Sequence, residues 1–262
     1  MITGRSCFFR VAVLVFAVIC LAACVAASRP GIAPSADILR VGVCANRPPM
    51  IFKQNDETHT GFEADFAREL AASLGKTVYF IDCDWIDLIP ALLENRIDII
   101  MSGMTVTTSR SVRVNFTNPY MRSGQIGLTT NGNALRIRGV NALITASMRV
   151  GMEKGTTGEI VSEKYFINAK KVAFTKLVKG VQAVLKGHID LFVHDAPVVW
   201  WFASQYESQG LTALPFFITE EDIAWAVRKD DTALLAGANR FVTAWKQDGR
   251  LKKLLRRWLP KI

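Results

Sequence analysis

The sequence predicts an α/β protein that is organised as two lobes, each built on a sheet covered by helices. Strand-like and helix-like segments alternate along the chain in two successive runs. The segment "IDIIM" is apolar on both faces, as a parallel sheet covered by helices requires. The 262 residues, 50% of them hydrophobic, are enough for one large domain or two modest ones, at about 150 residues per domain.

The chain begins with an expected signal peptide, residues 1–23, in which two arginines precede a short apolar run. The run ends in "LAAC", which resembles a bacterial lipobox, so Cys24 is the expected lipidation site and would carry acyl chains such as palmitate. Residues 24–36 then form a flexible tether. The alternative is an uncleaved membrane anchor, because Val11 to Ser28 is free of charge and a span needs about 20 residues.

The first run of elements reads strand, helix, strand, helix, strand. Its first helix places Phe66, Leu70 and Leu74 on one face and ends at Gly75. The second helix tolerates Pro90 in its first turn. Right-handed crossovers place the three strands in one sheet. The predicted elements are strands 39–44, 77–82 and 97–101 and helices 62–75 and 86–96.

The second run repeats this order, and a long helix closes the chain. Ligands of open α/β sheets bind beyond the carboxyl ends of the strands, where we therefore expect the site. The predicted elements are a strand, turn and helix over 149–166, strand 171–174, helix 176–187, strand 189–195, the segment 224–231 and helix 234–259.

Charge and cysteine content narrow the function classes. The net charge of +9 would fall to +7 with the signal peptide, and the basic residues cluster only in "RLKKLLRRW", which favours a solvated terminal helix near a membrane over nucleic-acid binding. Cys44 and Cys83 each follow a predicted strand, and the residues leave open a disulfide or two reduced thiols. With three histidines and no CxxC or HxxxH spacing, we expect no metal and no cofactor.

The stretch "SGMTVTTSR" (102–110) leaves a strand and starts a helix, with Thr107 as the predicted N-cap. Free N–H groups at a helix start favour an anion, and Arg110 supplies a two-pronged donor for a carboxylate. Thr105 adds a hydroxyl, while Ser102 and Gly103 offer backbone carbonyls to an ammonium. The alternative is a salt bridge between Arg110 and a nearby acid such as Asp98.

Two further stretches end strands of the second run. In "EKGTTGE", Gly155 permits a tight turn, and Thr156 and Thr157 present hydroxyl and N–H groups before a helix, without the pattern of a P-loop. "LFVHDAP" places Asp195 where it can pair with a cation, or where it serves only as a helix N-cap. His194 lacks an accompanying nucleophile motif.

Across nearly all of its mature length the chain resembles the family 3 periplasmic solute-binding proteins, the amino-acid receptors of bacterial ABC transporters. The resemblance rests on "GFEADFARELAASL", "WIDLIPALLENRIDIIMSGMTVTTSRSVRVNFTNPY", "GTTGE", "GHIDLFVHDAP" and "AWAVRKDD". It implies the type II periplasmic-binding-protein fold, with two lobes joined by two hinge strands that close on an amino acid. The expected lobes are 37–123 with 222–262, and 124–221, exchanging near 121–128 and 216–223.

The resemblance also implies a role for each candidate. Arg110 would grip the α-carboxylate, and Asp195 would neutralise the ammonium. The remaining expected ligand-binding residues are Thr105 and the backbone near Thr156 and Thr157 for the carboxylate, the carbonyls of Ser102 and Gly103 for the ammonium, Trp85 as an aromatic wall, and Arg47.

The chain departs from the family pattern at Arg47 and Cys44. An aromatic residue is common where Arg47 stands, and receptors for basic amino acids often have an acid where Cys44 stands. A cationic side chain would then meet Arg47 without a compensating carboxylate, so the sequence favours a neutral or acidic ligand side chain.

The resemblance implies a monomeric, non-enzymatic receptor in the bacterial cell envelope, held by lipid at the periplasmic face of a membrane and delivering its ligand to an ABC permease. One alternative is an enzyme like the cyclohexadienyl dehydratases, which place a general-acid glutamate where this chain has Val198. Another is a ligand-sensing lipoprotein that serves no transporter.

Overall fold

A computed structural model describes residues 36–55 and 58–259. The predicted signal peptide, the lipidation site Cys24 and all of the predicted tether except its last residue lie outside the described residues. Within the described ranges, no helix has the length and apolarity needed to cross a bilayer.

The elements alternate along the chain broadly as the sequence predicts. The strands are β1 (Ile38–Val43), β2 (Asn46–Arg47), β3 (Ile51–Gln54), β4 (Thr58–Thr60), β5 (Thr77–Asp82), β6 (Ile99–Ile100), β7 (Asn115–Phe116), β8 (Met121–Ser123), β9 (Gln125–Thr130), β10 (Arg149–Glu153), β11 (Lys170–Phe174), β12 (Leu191–Asp195), β13 (Leu211–Ala213), β14 (Glu221–Ile223) and β15 (Ala226–Val227). The helices are α1 (Phe62–Ser73), α2 (Leu88–Leu93), α3 (Thr108–Ser111), α4 (Asn131–Ala134), α5 (Val140–Thr145), α6 (Thr157–Tyr165), α7 (Leu177–Leu185), α8 (Ala196–Gln205), α9 (Thr232–Gln247) and α10 (Arg250–Trp258).

The first lobe is built on a five-stranded sheet of order β5-β1-β6-β15-β7. β1 pairs in parallel with β5 and β6, whereas β15 runs antiparallel to β6 and β7. Val41, Ile99 and Ile100 are fully buried, because helices cover both faces of the central strands. The predicted helix 86–96 is shorter here: a 3-10 turn precedes α2, and Asn95 takes the left-handed φ of 57° that ends it.

The second lobe is built on a five-stranded sheet of order β11-β10-β12-β9-β13. β10 lies in parallel between β11 and β12, and β9 runs antiparallel to β12 with Gln125 opposite Asp195. This register brings Gln125, at the start of β9, beside the carboxyl end of β12. The site-bearing ends of β10 and β12 therefore share one edge of the sheet.

Two antiparallel strands, β8 and β14, join the lobes, with Ser123 opposite Glu221. Both lie in the regions where the sequence predicts that the chain exchanges lobes. Ile223, at the end of β14, also bridges to Thr105 of the first lobe. The pair of strands β8 and β14 is thus in direct contact with the candidate site.

Further differences from the sequence prediction concern the C-terminal helix and a small sheet. The predicted helix 234–259 is two helices, α9 and α10, because Gly249 takes a left-handed φ of 80° between them. A small sheet of β2, β3 and β4 was not predicted, since its strands are short and flank two prolines. This sheet carries Arg47.

Candidate functional site

Arg110 lies at the first lobe's edge of the cleft between the two sheets. Thr107 caps α3 as predicted, with its hydroxyl accepting a hydrogen bond from the Arg110 N–H at 3.3 Å. The guanidinium donates to the carbonyl of Thr105 at 2.9 Å and, from its other Nη atom, to the carbonyl of Gly155 in the second lobe at 3.1 Å. The alternative pairing with Asp98 is not formed, because Asp98 pairs with Arg40 at 2.6 Å.

The charges of two carboxylates act on the buried Arg110 guanidinium. Burial lowers the pKa of Arg110 to about 10, while the negative charges of Asp195 and Glu221 oppose this shift. Arg110 is 9% exposed and Asp195 is 8% exposed, so water screens their interaction weakly. The structure therefore brings the predicted cation and the predicted acid into one electrostatic unit.

Thr105 and Thr157 face each other across the cleft, with their hydroxyl oxygens 3.4 Å apart. Both hydroxyls donate to the same Glu221 oxygen, Thr105 at 2.8 Å and Thr157 at 3.0 Å. Glu221 lies on β14, between the lobes, and was not predicted as a site residue. Its carboxylate occupies the position between the two threonines that the sequence assigns to a ligand carboxylate.

Asp195 ends β12 and precedes α8, but its side chain does not cap that helix. Its carboxylate instead accepts a hydrogen bond from the amide of Gln125 at 2.6 Å, and the same amide nitrogen donates to Thr157 at 2.9 Å. Gln125 is 1% exposed, and its amide oxygen has no hydrogen-bond partner among the described residues. The interpretation of Asp195 as only a helix cap is therefore not supported.

Trp85 forms a wall of the cleft and reaches the second lobe. Its indole N–H donates to the carbonyl of Gly155 at 2.9 Å, so Trp85 and Arg110 share this acceptor. The guanidinium carbon of Arg47 lies 4.1 Å from the centroid of the Trp85 ring, and that of Arg110 lies 5.4 Å from it. These distances are typical of cation–π contacts.

Arg47 is buried, and the carboxylate of Glu153 neutralises its charge. This differs from the expectation that no carboxylate compensates Arg47. It donates to Glu153 at 2.8 Å, and its other Nη atom lies 3.0 Å from the Nε2 atom of His194. Burial alone would raise the pKa of Glu153, but Arg47 and His194 reverse this effect and hold the pKa below its usual range. The argument against a cationic ligand side chain thus loses its premise.

Ser102, Gly103 and Thr156 have internal partners. The Ser102 hydroxyl accepts from the N–H of Cys44 at 3.0 Å, and the Thr156 hydroxyl donates to the carbonyl of Glu153 at 2.7 Å. Gly103 has a left-handed φ of 70°, and a side chain there would overlap Met50. The hydroxyls of Ser102 and Thr156 are thus each held by one internal hydrogen bond, and Gly103 can offer only backbone groups.

Cys44 and Cys83 follow the neighbouring strands β1 and β5, as predicted, and both are free thiols in the structure. The Cys83 N–H donates to the carbonyl of Val43 at 2.9 Å, which keeps the two chain segments adjacent. The disulfide alternative is not formed.

Sequence reasoning missed four acceptor or donor groups at this site. Glu153 is the first residue of the segment "EKGTTGE", and a search for an acid that could pair with Arg47 would have identified it. Gln125 and Glu221 lie at the lobe crossings, where no motif marks them, and Glu63 lies on the apolar side of α1.

Comparisons with known proteins agree with this architecture. The model for bacterial extracellular solute-binding proteins, family 3, matches residues 39–261. The chain is 28% identical over 233 residues to ABC transporter arginine-binding protein 1 of Escherichia coli (strain K12), covering 87% of this chain and 93% of that protein. It is 25% identical over 230 residues to cyclohexadienyl dehydratase of Pseudomonas aeruginosa, and the match covers 85% of this chain and 82% of that protein.

A solved structure shows the same fold at higher identity. The ancestral amino-acid-binding protein AncCDT-1, a precursor of cyclohexadienyl dehydratase, is 35% identical with a TM-score of 0.77, covering 84% of this chain and 94% of that chain. The predicted type II periplasmic-binding-protein fold, with two lobes and two hinge strands, is thereby confirmed. The chain belongs to family 3 of the bacterial extracellular solute-binding proteins.

Proposed function

We propose that this protein is a lipid-anchored extracytoplasmic receptor that binds an amino acid between its two lobes and delivers it to an ABC permease. The observation that carries the proposal is the meeting of Arg110 and Thr105 from one lobe with Thr157 and Asp195 from the other. A zwitterion needs a cation and an anion in one site, and the charges of Arg110 and Asp195 act on each other in this cleft.

The proposed contacts follow from the chemistry of each group. Arg110 binds the ligand carboxylate, together with the hydroxyls of Thr105 and Thr157, after Glu221 releases them. Asp195 binds the ammonium. The carbonyls of Ser102 and Gly103 accept from the ammonium, the backbone near Thr156 assists the carboxylate, and Trp85 and Arg47 line the space for the side chain.

Closure follows from these contacts because the ligand touches both lobes. A ligand that binds the closed form better than the open form shifts the population toward closure. We propose 37–123 with 222–262 as one lobe, 124–221 as the other, and β8 and β14 as the hinge. A monomer suffices, since one chain supplies the whole site.

The location and the partner rest on the family and on the sequence. The family is described as extracellular solute-binding proteins, and the Escherichia coli relative is named as an arginine-binding protein of an ABC transporter. Cys24 within "LAAC" supports lipid anchoring. In cells fed labelled palmitate, the wild-type protein should carry the label and Cys24→Ser should not; an unlabelled wild-type protein would contradict the anchor.

A thermal-shift screen against the twenty amino acids tests the binding function. A ligand at 100 times its Kd adds about 2.7 kcal/mol of stability, which shifts the melting temperature by several degrees. Arg110→Gln should remove the shift, because it removes the two-pronged donor. Arg113→Gln changes an exposed arginine of the same region and should keep it. Absence of any shift with all twenty would overturn the proposal.

An enzyme on the same scaffold is the second candidate, because the cyclohexadienyl dehydratase match covers most of the chain. The position expected for its general acid is Val198, which is 1% exposed on α8 and cannot transfer a proton. We therefore expect no turnover when the protein is incubated with prephenate or arogenate. Product formation above a heat-inactivated control would favour the enzyme.

A further inference from the structure

Glu63 is a fully buried carboxylate that has no cationic partner within residues 36–55 and 58–259. It lies in the first turn of α1, and its relative exposure is 0%. Burial and three hydrogen-bond donors set its pKa, and no lysine, arginine or histidine of the described residues contributes. An acid in this setting is costly to ionise, so its retention calls for a physical reason.

All three partners of Glu63 are donors. One oxygen accepts from the N–H of Gly103 and the hydroxyl of Tyr120, both at 2.6 Å, and the other accepts from the indole N–H of Trp225 at 2.8 Å. A carboxylate satisfies three donors, whereas a protonated acid places a hydrogen where donors already point. The hydrogen-bond geometry is therefore built for the ionised form.

The three donors connect the candidate site to both hinge strands. Gly103 lies in the loop that follows β6 and carries the proposed ammonium acceptors. Tyr120 directly precedes β8, and Trp225 lies two residues after β14. One buried carboxylate thus fixes the ligand loop against the two points where the chain leaves and re-enters the first lobe.

The hydrogen bond to Gly103 also orients the preceding carbonyl. The Ser102–Gly103 peptide is trans, since the described residues contain a cis bond only at Pro48–Pro49. In a trans peptide the N–H and the C=O point in opposite directions. Donation from Gly103 to Glu63 therefore directs the Ser102 carbonyl away from α1, and the anion polarises that carbonyl into a stronger acceptor.

We propose that Glu63 is a positioning residue, whose ionised carboxylate holds the Ser102–Gly103 peptide and strengthens the Ser102 carbonyl as the acceptor of the ligand ammonium. This inference rests on the proposed function. An ammonium on that carbonyl would lie about 7 Å from the Glu63 carboxylate, where full ionisation alters affinity on the order of 50-fold at an effective dielectric constant of about 20, and the part reached between pH 6 and pH 8 is on the order of tenfold.

The direction of the pH effect follows from the ionisation of Glu63. Burial raises its pKa to about 7, although Tyr120, Gly103 and Trp225 each act to lower it. Affinity for the ligand should therefore rise from pH 6 to pH 8, as Glu63 loses its proton. Tyr120 is the titratable group in direct contact; burial and Glu63 raise its pKa well above the ordinary value, with a smaller contribution from Asp195, so it stays protonated throughout.

Calorimetric titration with each of the twenty L-amino acids, near pH 6 and near pH 8, tests the inference. Every amino acid that binds should do so on the order of tenfold more tightly at the higher pH, whatever its side-chain charge, because the effect acts on the α-ammonium. Glu63→Gln should flatten this dependence. Glu69→Gln, an exposed position on the same helix, should keep it, so a dependence that is lost only in Glu63→Gln is assigned to Glu63.

A second readout needs no ligand and no variant of Glu63. In the ¹⁵N-labelled wild-type protein, the indole N–H resonance of Trp225 should titrate with a midpoint near pH 7. Tyr120→Phe should move this midpoint upward, because it removes a donor that favours the ionised form. A Glu63 that keeps one protonation state across this range would produce no such movement.

The outcomes separate this inference from the receptor proposal. Binding with equal affinity at both pH values, or a Trp225 resonance that does not titrate, overturns the role of Glu63 and leaves the receptor intact. Absence of binding by all twenty amino acids at both pH values overturns the receptor function and this inference with it.

Discussion

The buried ion pair between Arg47 and Glu153 makes a strong prediction about stability. Arg47 lies on β2 of the first lobe and Glu153 ends β10 of the second, so the pair links the lobes. The substitution Glu153→Gln keeps the size of the side chain and removes its charge. Arg47 would then be a buried cation that has lost its direct ion-pair partner.

The magnitude follows from burial. Arg47 is 1% exposed and Glu153 is 2% exposed, so little solvent screening weakens the loss. Removing one partner of a buried pair costs about 3 to 5 kcal/mol, and we expect the lower value of about 3 kcal/mol, because the glutamine oxygen still accepts hydrogen bonds. For a chain of this size, this corresponds to a fall in melting temperature of about 10 °C.

Urea unfolding of ligand-free protein at neutral pH measures the cost, with Glu163→Gln as the matched control. Glu163 pairs with Lys171 at 2.9 Å on the exposed surface of the same lobe, and such pairs contribute at most about 1 kcal/mol. Equal costs for Glu153→Gln and Glu163→Gln would refute the buried pairing.

Three further predictions concern the ligand loop and its supports. Gly103→Ala should lower the melting temperature and abolish amino-acid binding, because φ at Gly103 is 70° and the new methyl group would overlap Met50. The control Gly75→Ala, with a φ of 67° and open space around it, should cost only about 1 kcal/mol and keep binding. Equal effects of the two substitutions would contradict the argument. Glu63 should lower the free energy of unfolding by about 3 kcal/mol as pH rises from 4.5 to 7, because the folded state keeps the proton that the unfolded chain loses. Urea titrations of the wild-type protein and of Glu63→Gln measure this contribution as the difference between their free energies of unfolding. A difference that does not change with pH across this range would oppose the prediction. Arg110→Lys should weaken binding by at least tenfold in calorimetry, since lysine cannot span both oxygens of a carboxylate, and unchanged affinity would argue against a bidentate contact.

The sequence predicted what depends on short stretches of chain. The alternation of β1, α1 and β5 follows from apolar periodicity, and Thr107 as the cap of α3 follows from a local pattern of polar residues. Arg110 is marked by the same local pattern, because it lies three residues beyond the cap of that helix. These features depend only on residues that are close together in the sequence.

The missed features depend on residues that are distant in sequence. Arg47 and Glu153 are 106 positions apart, and Gln125 and Asp195 are 70 apart, so no local pattern marks either contact. The strands β2 and β8 are also too short to show alternation. Such contacts form only when the two sheets face each other.

The pairing of Arg47 changes the argument about the ligand side chain. The sequence disfavoured a basic side chain because Arg47 would repel it without a compensating acid. Glu153 cancels that charge at 2.8 Å, and Glu221 adds a further carboxylate beside Arg110. Two arginines then face three acids, Glu153, Asp195 and Glu221, in the same cleft. Electrostatics in this site therefore does not oppose a cationic side chain, and arginine and lysine belong in the ligand screen with the neutral and acidic amino acids.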